Sequence, residues 1–358
     1  MSELPARPGG TSLLSAPDKF RGSLSGEGFC AASAAACEQV GWSQQSCRLS
    51  DGGEGFGELL GEGGEEKIVR VSGPLGSPVR APLFMSGRPG AARAVIESRT
   101  ACGLLLAGGA DRNRPMEATT KGVGELIMAA SEMGASEILL GCGGSASTDG
   151  GRGALEAMGL FPPGGPLPVR RLLVAYDVTT PFLRAAEVFG PQKGASPDQV
   201  LQLSHRLEEL AGLYREAGSD VTSLEGAGAA GGLAGGLAAA GAELVSGFEV
   251  SARASGFPAA LAAASAVVTG EGRLDATSLE GKVTGSVVRA AAGRRRPCLV
   301  VVGQADEHAA ALAGQLGAAV VSLEGRFGAE RSRRETAELV TEVVAEWLSA
   351  LEPRPEGG

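Results

Sequence analysis

Glycine is the residue that most constrains how this chain can fold. The sequence has 57 glycines among 358 residues, whereas aromatic residues make up only 4%. Because glycine tolerates left-handed backbone and close backbone contacts, we expect many tight turns. The cores must then be built from Ala, Val, Leu and Ile. The chain also exceeds the usual size of a single hydrophobic core, so two α/β domains are expected.

Charge and rare residue types argue against several function classes. The formal net charge of −9 is unlike that of a nucleic-acid-binding protein, which needs a basic stripe. Histidine occurs only as His205 and His308, so neither a His-based triad nor a His-rich metal site is expected. Small anionic ligands remain compatible with this composition, because a local Lys or Arg cluster can bind them in an acidic protein.

The cysteine pattern indicates a reducing compartment, and the apolar segments indicate a protein that is not inserted in a membrane. The six cysteines form no C-x-x-C pair, and Cys30, Cys102 and Cys142 lie in small, apolar surroundings typical of buried free thiols. The first residues lack the apolar stretch of a signal peptide, and no run of about 18 apolar residues follows. We therefore predict a cytoplasmic protein that has no membrane partner.

The order of predicted elements indicates one domain inserted into another. We predict strands at 11–16, about 45–50, 67–72, 79–85, 92–97, 137–142, 171–176, 265–270, 297–302 and 318–322. Strands alternate with helices at both ends of the chain, whereas three hairpin-like strands interrupt this rhythm near residue 72. The predicted fold class is α/β. A Rossmann-like parallel-sheet domain (1–71 with 255–358) receives an inserted α/β domain (72–254).

Three loops combine carboxylates with small residues where predicted strands end. They are Pro17-Asp18-Lys19, Asp51-Gly-Gly-Glu54-Gly and Gly270-Glu271-Gly-Arg273-Leu-Asp275. Ligands of open α/β sheets bind outside the carboxyl ends of the strands. Carboxylates suit Mg²⁺ or a hydroxyl that loses a proton, and glycine lets backbone N–H groups approach phosphate. Asx turns and helix N-caps use the same residue types, so this structural alternative stays open for each loop.

A fourth glycine-rich segment offers hydroxyls. Residues 143–151 (GGSASTDGG) follow a predicted strand and open a helix, which is typical of an anion cradle. The segment is not a Walker A loop, because G-x-x-x-x-G-K-[ST] is absent from the chain. Residues 226–231 match G-x-G-x-x-G, but no predicted strand directly precedes them, which weakens a dinucleotide-binding interpretation.

Single cations complete the set of candidate groups. Lys193, in the turn FGPQKG at 189–194, is either an ammonium presented to a ligand or an ordinary solvated lysine. Carboxylates, glycines, hydroxyls and single cations suit phosphoryl transfer, in which positioning and charge neutralisation supply most of the catalysis. The residues alone therefore predict an Mg²⁺-dependent phosphotransferase.

Long motifs in a fixed order carry a family resemblance. They are APDKFRGSLSG (16–26), DGGEG (51–55), SGPLG (72–76), GCGGSASTDGG (141–151), YDVTTPF (176–182), FGPQKGAS (189–196), GAGAAGGLAGGL (226–237) and TGEGRLDATSLEGK (269–282). This set resembles the glycerate kinase type I family. The resemblance implies ATP- and Mg²⁺-dependent phosphorylation of D-glycerate, with 2-phosphoglycerate as the product. It also implies two α/β domains with the active site in the cleft between them.

The candidate site residues follow from these loops and from the resemblance. We expect Asp275 to orient the glycerate hydroxyl, with Asp177 as the second choice, and Lys282 and Lys193 to neutralise charge on the transferred group. The residues expected to bind substrate or phosphate are Asp18, Lys19, Arg21, Gly143, Gly144, Ser145, Asp149, Glu271 and Arg273. Of these, Arg21 or Arg273 is expected to pair with the glycerate carboxylate, which a guanidinium matches with two hydrogen bonds. For Mg²⁺ we expect Asp51 and Glu54.

Some positions depart from the family pattern and keep alternatives open. Cations stand at both Lys19 and Arg21, and Arg99 occupies a stretch that is normally rich in Met and Ala. The chain is also short between residues 159 and 171. A kinase of another small hydroxy acid is therefore an alternative. A dinucleotide-binding oxidoreductase and an inactive binding protein are further alternatives.

Overall fold

The computed structural model describes residues 11–18, 20, 23–53, 55–88, 90–279 and 281–351. The strands in these ranges are β1 (Ser12–Ser15), β2 (Ser43–Ser46), β3 (Glu65–Ser72), β4 (Pro78–Ser86), β5 (Ala92–Glu97), β6 (Ala135–Cys142), β7 (Arg171–Tyr176), β8 (Glu243–Ser246), β9 (Ala266–Leu274), β10 (Cys298–Ala305) and β11 (Ala318–Ser322). The α-helices are α1 (Gly26–Val40), α2 (Phe56–Leu60), α3 (Arg99–Cys102), α4 (Lys121–Glu132), α5 (Arg152–Ala157), α6 (Ala185–Phe189), α7 (Pro197–Glu216), α8 (Leu233–Ala239), α9 (Gly247–Ala254), α10 (Phe257–Ala263), α11 (Val283–Gly293), α12 (Glu307–Gln315), α13 (Leu323–Phe327), α14 (Ala329–Arg334) and α15 (Thr336–Leu351).

The chain forms two compact units, and one is inserted into the other. The first unit comprises the described residues of 1–49 and 251–358, and the second comprises 50–250. The predicted α/β fold class is confirmed. The unit boundaries differ from the predicted domain boundaries, which lay at 71/72 and 254/255.

Packing explains why the first boundary lies about twenty residues earlier than predicted. Strand β3 pairs along its whole length with β4 of the second unit. Phe56 of α2 is fully buried against Val95, Leu139 and Leu173 of the same sheet. Residues 50–71 therefore belong to the second unit, although their sequence reads as a continuation of the first βα rhythm.

A five-stranded parallel sheet forms the centre of the first unit. Its strand order is β11-β10-β9-β1-β2. Leu13, Val268 and Val301 lie on one face in the same apolar cluster as residues of α1 and α15. Adjacent residues in a strand point to opposite faces, so Val267 and Val300 face the side on which α11 packs against β9 and β10.

The strand order of this sheet reverses at one position. From β1 the chain passes to its neighbour β2 on one side, whereas from β9 it passes to β10 on the other. Parallel β1 and β9 therefore flank a topological switch point, the usual ligand-binding position in open α/β sheets. Two of the loops predicted to carry chemistry, at Asp18 and at 270–275, lie at this edge.

A mixed six-stranded sheet forms the centre of the second unit. Its order is β3-β4-β5-β6-β7-β8, with antiparallel pairing from β3 to β5 and parallel pairing from β5 to β8. The three hairpin-like strands predicted near 67–97 are β3, β4 and β5. Helices α4, α5, α7 and α8 cover one face with a large apolar core, while α2 covers part of the other.

The Gly/Ala segment 226–241 packs its backbone directly against the 143–151 segment. A Cβ added at Gly231, whose φ is +71°, would lie 2.0 Å from the Ser147 carbonyl oxygen. At Gly236 it would lie 2.3 Å from the Gly150 carbonyl oxygen. The residues preceding Gly226 form turns, not a strand. These glycines thus serve close packing, and the structure lends no support to a dinucleotide-binding interpretation.

Several smaller features bear on the sequence predictions. Strand β2 ends at Ser46, earlier than predicted, while β8 was not predicted at all. All six cysteines are free and buried, and burial raises the pKa of each thiol. Among the residues that the structure describes, no helix is both long and apolar enough to cross a membrane.

Replacing Gly231 by alanine tests the packing of the Gly/Ala segment. The new methyl group would collide with the Ser147 carbonyl oxygen in a left-handed backbone, so we expect a loss of about 2–4 kcal/mol in the free energy of unfolding. Urea unfolding measures it. In the matched control, Gly212→Ala in α7, the added methyl group meets open space and should stabilise by about 0.5–1 kcal/mol. Equal effects of the two substitutions would contradict this account.

Candidate active site

In the second unit, chemically active groups follow three neighbouring parallel strands. Arg99 comes just after β5, the 143–151 segment follows β6, and Asp177 follows β7. Because β5, β6 and β7 run parallel, their carboxyl ends lie at one edge of the sheet. The structure thus brings Gly143, Gly144 and Asp177 to a common edge of the sheet, the kind of position at which ligands bind in open α/β sheets.

The loop at Asp51 belongs to this edge, which corrects its expected place beside the first sheet. Gly52 has φ of +106°, and a Cβ added there would lie 2.9 Å from the Ala175 carbonyl oxygen in β7. A Cβ added at Gly143 would lie 2.7 Å from the Cα of Gly53 and 3.5 Å from Asp177 Oδ2. Asp51 Oδ1 accepts a hydrogen bond from the Gly53 N–H at 3.1 Å. The carboxylate therefore shapes its own turn, as the Asx-turn alternative predicts.

Lys193 is buried, which excludes the solvated-lysine interpretation. Its side chain lies beneath the 143–151 segment, and the residue is only 4% exposed. The ammonium donates to Ser145 Oγ at 2.9 Å and to the Ser147 carbonyl oxygen at 2.7 Å. Burial lowers the pKa of Lys193 to about 8, although the nearby carboxylates Asp149 and Asp177 oppose this shift. The lysine therefore supports the glycine-rich segment from inside.

Asp149 was predicted to contact substrate or phosphate, but its contacts are with the protein itself. Its Oδ2 accepts from the Thr120 N–H at 2.8 Å, from the Thr120 hydroxyl at 2.9 Å and from the Gly153 N–H at 3.2 Å. Its Oδ1 accepts from the Gly151 N–H at 3.2 Å. The carboxylate thus ties the start of α5 to residue 120 and fixes the shape of the 143–151 segment.

An ion pair between a buried glutamate and a partly exposed arginine at the end of β5 was not predicted. Glu97, which is 6% exposed, accepts from the Gly57 N–H at 2.7 Å through Oε1. Its Oε2 accepts from Arg99 Nε at 2.5 Å. A Cβ added at Gly144 would lie 3.6 Å from Arg99 Cβ, so the arginine stands beside the glycine-rich segment. The sequence pointed to this pair only through Arg99, which stands in a stretch that is normally rich in Met and Ala. Nothing in the sequence singled out its partner Glu97.

In the first unit, Glu271, Asp275 and Lys282 lie in one hydrogen-bonded cluster at the end of β9. Lys282 Nζ donates to Thr277 Oγ1 at 2.7 Å, and that hydroxyl donates to Asp275 Oδ1 at 2.6 Å. Ser278 Oγ donates to Glu271 Oε2 at 3.0 Å, while the Ser278 N–H donates to Asp275 Oδ1 at 3.2 Å. Thr277 and Ser278, which the sequence reasoning passed over, join the three predicted residues.

The two carboxylates of this cluster have opposite pKa shifts. Burial raises the pKa of Glu271 to about 7, and the charge of Asp18 adds to this rise. Partial burial also acts to raise the pKa of Asp275, but the hydrogen bonds from Thr277 and the charge of Lys282 outweigh it and lower that pKa. Asp275 is therefore ionised at neutral pH, whereas Glu271 titrates near neutrality.

The remaining predicted residues have less defined surroundings. The Asp18 N–H donates to the Gly270 carbonyl oxygen at 2.9 Å, which places Asp18 beside the middle of β9. Arg273 is exposed and lines an open surface cavity of about 430 Å³ together with Gln304 and Glu324. Lys19, Arg21 and Glu54 lie outside the described residues.

A magnesium ion would find oxygen ligands at the edge of the second unit. Mg²⁺ is usually held by one or two carboxylates together with water and substrate phosphates. Asp51 precedes Gly53, whose backbone packs on Gly143, and Asp177 Oδ2 also lies beside Gly143, so the oxygen chemistry there fits such an ion. Among the described residues, no group of three or more His, Cys, Asp or Glu side chains could hold a metal by itself.

Replacing Glu271 by glutamine tests the buried carboxylate. Its folded-state pKa of about 7 exceeds the ordinary 4.5, so its stabilising contribution is complete below about pH 4.5 and is lost as pH rises through 7. As the pH rises from 4.5 to 7, the free energy of unfolding of the wild type should decrease by up to about 3 kcal/mol relative to that of Glu271→Gln. Urea unfolding of the ligand-free protein from pH 5 to 8.5 measures this difference. A pH-independent difference would contradict the raised pKa.

The comparisons with known proteins agree on one family. The profile described as "Glycerate kinase family" matches residues 13–162 and 167–352. An uncharacterized protein of Mycobacterium bovis is 41% identical over 314 residues, covering 84% of this chain and 81% of its own. Glycerate 2-kinase of Escherichia coli is 35% identical over 325 residues, covering 81% of this chain and 84% of its own.

A solved structure supports the same conclusion for the fold. The structure from Salmonella typhimurium LT2 that is proposed to be glycerate kinase 2 superposes with a TM-score of 0.70 and 29% sequence identity. The match covers 95% of this chain and 99% of that one. The family resemblance predicted from the ordered motifs is thereby confirmed, and the chain belongs to the glycerate kinase family of enzymes.

Proposed function

We propose that the protein transfers the γ-phosphoryl group of ATP directly to the 2-hydroxyl of D-glycerate in the presence of Mg²⁺. The products are 2-phosphoglycerate and ADP. The observation that carries this proposal is the linked set of Asp275, Thr277 and Lys282 at the switch point of the first sheet. An ionised carboxylate joined to an ammonium through one hydroxyl suits a reaction that positions an alcohol and neutralises phosphate charge.

Asp275 orients the acceptor hydroxyl in this proposal. Its Oδ1 is occupied by the Thr277 N–H, the Thr277 hydroxyl and the Ser278 N–H, at 2.9, 2.6 and 3.2 Å. Within the described part of the chain, its Oδ2 has no hydrogen-bond partner, so this oxygen is available to accept from an alcohol. Its lowered pKa keeps it ionised, so Oδ2 can accept a hydrogen bond from the alcohol and orient it, and the carboxylate receives the proton as the bond to phosphorus forms.

Cations and backbone groups bind the phosphates. Lys282 directly precedes α11 and carries a single mobile ammonium, which suits the charge that develops on the transferred group. Gly143, Gly144 and Ser145 bind phosphate through backbone N–H groups and the Ser145 hydroxyl. Lys193 acts through this segment, since its ammonium donates to Ser145 Oγ and thereby fixes that hydroxyl. We assign it a positioning role.

Asp51 holds the magnesium ion in this proposal, either directly or through water. Its Oδ1 is turned toward the Gly53 N–H, which leaves lone pairs of the same carboxylate for an ion. The bound ion supplies charge neutralisation and in-line alignment of the phosphates. Asp275, and not the ion, orients the alcohol and accepts its proton.

An ADP-release assay with purified protein, ATP and D-glycerate tests the proposed activity. We expect turnover that depends on both glycerate and Mg²⁺, in the range of roughly 1–100 per second that is common for kinases. Chelation of Mg²⁺ should reduce the rate to background. ADP release that does not require D-glycerate would contradict the proposal.

Asp275→Asn tests the orienting carboxylate. The amide keeps the shape but cannot accept a proton, so kcat should fall by about 100-fold or more, with little change in the KM for ATP. Asp220→Asn is the matched control, because Asp220 Oδ1 accepts from the Thr222 N–H at 3.0 Å and from its hydroxyl at 2.6 Å in the same Asp-x-Thr turn. Turnover of Asp275→Asn within a few-fold of the control would transfer the role to Asp177.

A further inference from the structure

Arg99 presents an anion-binding group that the proposed roles leave unused. Its Nε donates to Glu97 Oε2 at 2.5 Å, and its side chain is 31% exposed. In the described part of the chain, no acceptor lies within hydrogen-bond distance of either terminal nitrogen, Nη1 or Nη2. These two nitrogens form the end of a rigid planar fork, which matches a carboxylate with two parallel hydrogen bonds.

Glu97 fixes the direction of that fork. The Glu97 side chain is only 7% exposed, and its other oxygen, Oε1, accepts from the Gly57 N–H at 2.7 Å. The carboxylate is therefore anchored at both oxygens before any ligand arrives. Glu97 accepts from Nε of Arg99, the guanidinium nitrogen nearest the backbone. The two outer nitrogens, Nη1 and Nη2, therefore remain for a ligand.

The surroundings of Arg99 favour a small monoanion. Its Cβ and Cδ would lie 3.6 and 3.8 Å from a Cβ added at Gly144, so a bound group would lie beside the glycine-rich segment. Glu97 already neutralises part of the guanidinium charge, and Asp177 lies against the neighbouring Gly143. A polyphosphate would meet two carboxylates and one arginine there and would be repelled more strongly than a ligand with one negative charge.

We propose that Arg99 determines substrate specificity by binding the carboxylate of the acceptor through Nη1 and Nη2. Glu97 is the positioning residue that aims it. This inference rests on the proposed function, since it assigns the acceptor of that same reaction to the class of short hydroxy acids. Polyols, hydroxy amides and hydroxy esters lack the negative charge and are poor substrates.

The test compares D-glycerate with its carboxamide analogue, which keeps both hydroxyls and loses the charge. The wild type should prefer glycerate by at least about 10-fold in kcat/KM, because a charged hydrogen bond is lost with the amide. Arg99→Met should lower kcat/KM for glycerate by roughly 10- to 100-fold, mainly through KM, and leave the amide and the KM for ATP unchanged. The preference for glycerate then disappears.

Further variants separate this role from a structural one. Glu97→Gln should raise the KM for glycerate without changing that for the amide, and the double variant Glu97→Gln with Arg99→Met avoids an unpaired buried charge if Arg99→Met alone fails to fold. Arg171→Met is the matched control, because Arg171 forms an exposed pair with Glu243 at the amino-terminal end of β7. It should retain the wild-type preference.

Several outcomes overturn the inference. If Arg99→Met lowers kcat/KM equally for glycerate and for the amide, the arginine has a structural role. If Arg99→Met raises the KM for ATP, the arginine binds phosphate. A preference lost in Arg273→Met but kept in Arg99→Met assigns the carboxylate to Arg273. In each of these cases the wild type is active, so the proposed function survives. A wild type inactive on both acceptors contradicts the proposed function itself.

Discussion

Backbone-to-backbone packing that only glycine permits holds the carboxyl edge of the second unit together. Gly231 packs on the Ser147 carbonyl oxygen, Gly143 packs on Gly53, and Gly52 packs on the Ala175 carbonyl oxygen, each at a distance that excludes a Cβ. With side chains absent from these contacts, three chain segments far apart in sequence converge at the ends of β6 and β7. Their N–H groups and the nearby carboxylates are thereby left close to any ligand.

Buried charges then fix the shape of these segments. The Lys193 ammonium and the Asp149 carboxylate both lie in the interior and are satisfied by contacts with the 143–153 region and with residue 120. Burying a charge is costly unless it is paired and hydrogen-bonded, so each group stabilises one arrangement of the surrounding backbone and penalises others. In the first unit, Ser278 plays a comparable part on a smaller scale, because it bonds to both Glu271 and Asp275.

Local patterns in the sequence were sufficient to predict the fold class, but they did not show to which of the two units every segment belongs. Apolar runs and their spacing predicted nearly all strands, including the hairpin-like group near 67–97, because burial of a strand leaves a local signature. The loop at Asp51 was assigned to the wrong sheet, since its place depends on a contact between Gly52 and the distant Ala175. The burial of Lys193 and the Glu97–Arg99 pair likewise depend on tertiary contacts between segments, which no sequence window reveals.

The central claim is that this enzyme places a phosphoryl group on the 2-hydroxyl of D-glycerate. The most direct measurement is nuclear magnetic resonance of the reaction mixture after incubation of the protein with ATP, Mg²⁺ and D-glycerate labelled with ¹³C at carbon 2. The account predicts a phosphomonoester whose phosphorus is coupled to the single proton on the labelled carbon, in amounts equal to the ADP formed. Phosphate on carbon 3, or glycerate left unmodified while ATP is consumed, would contradict it.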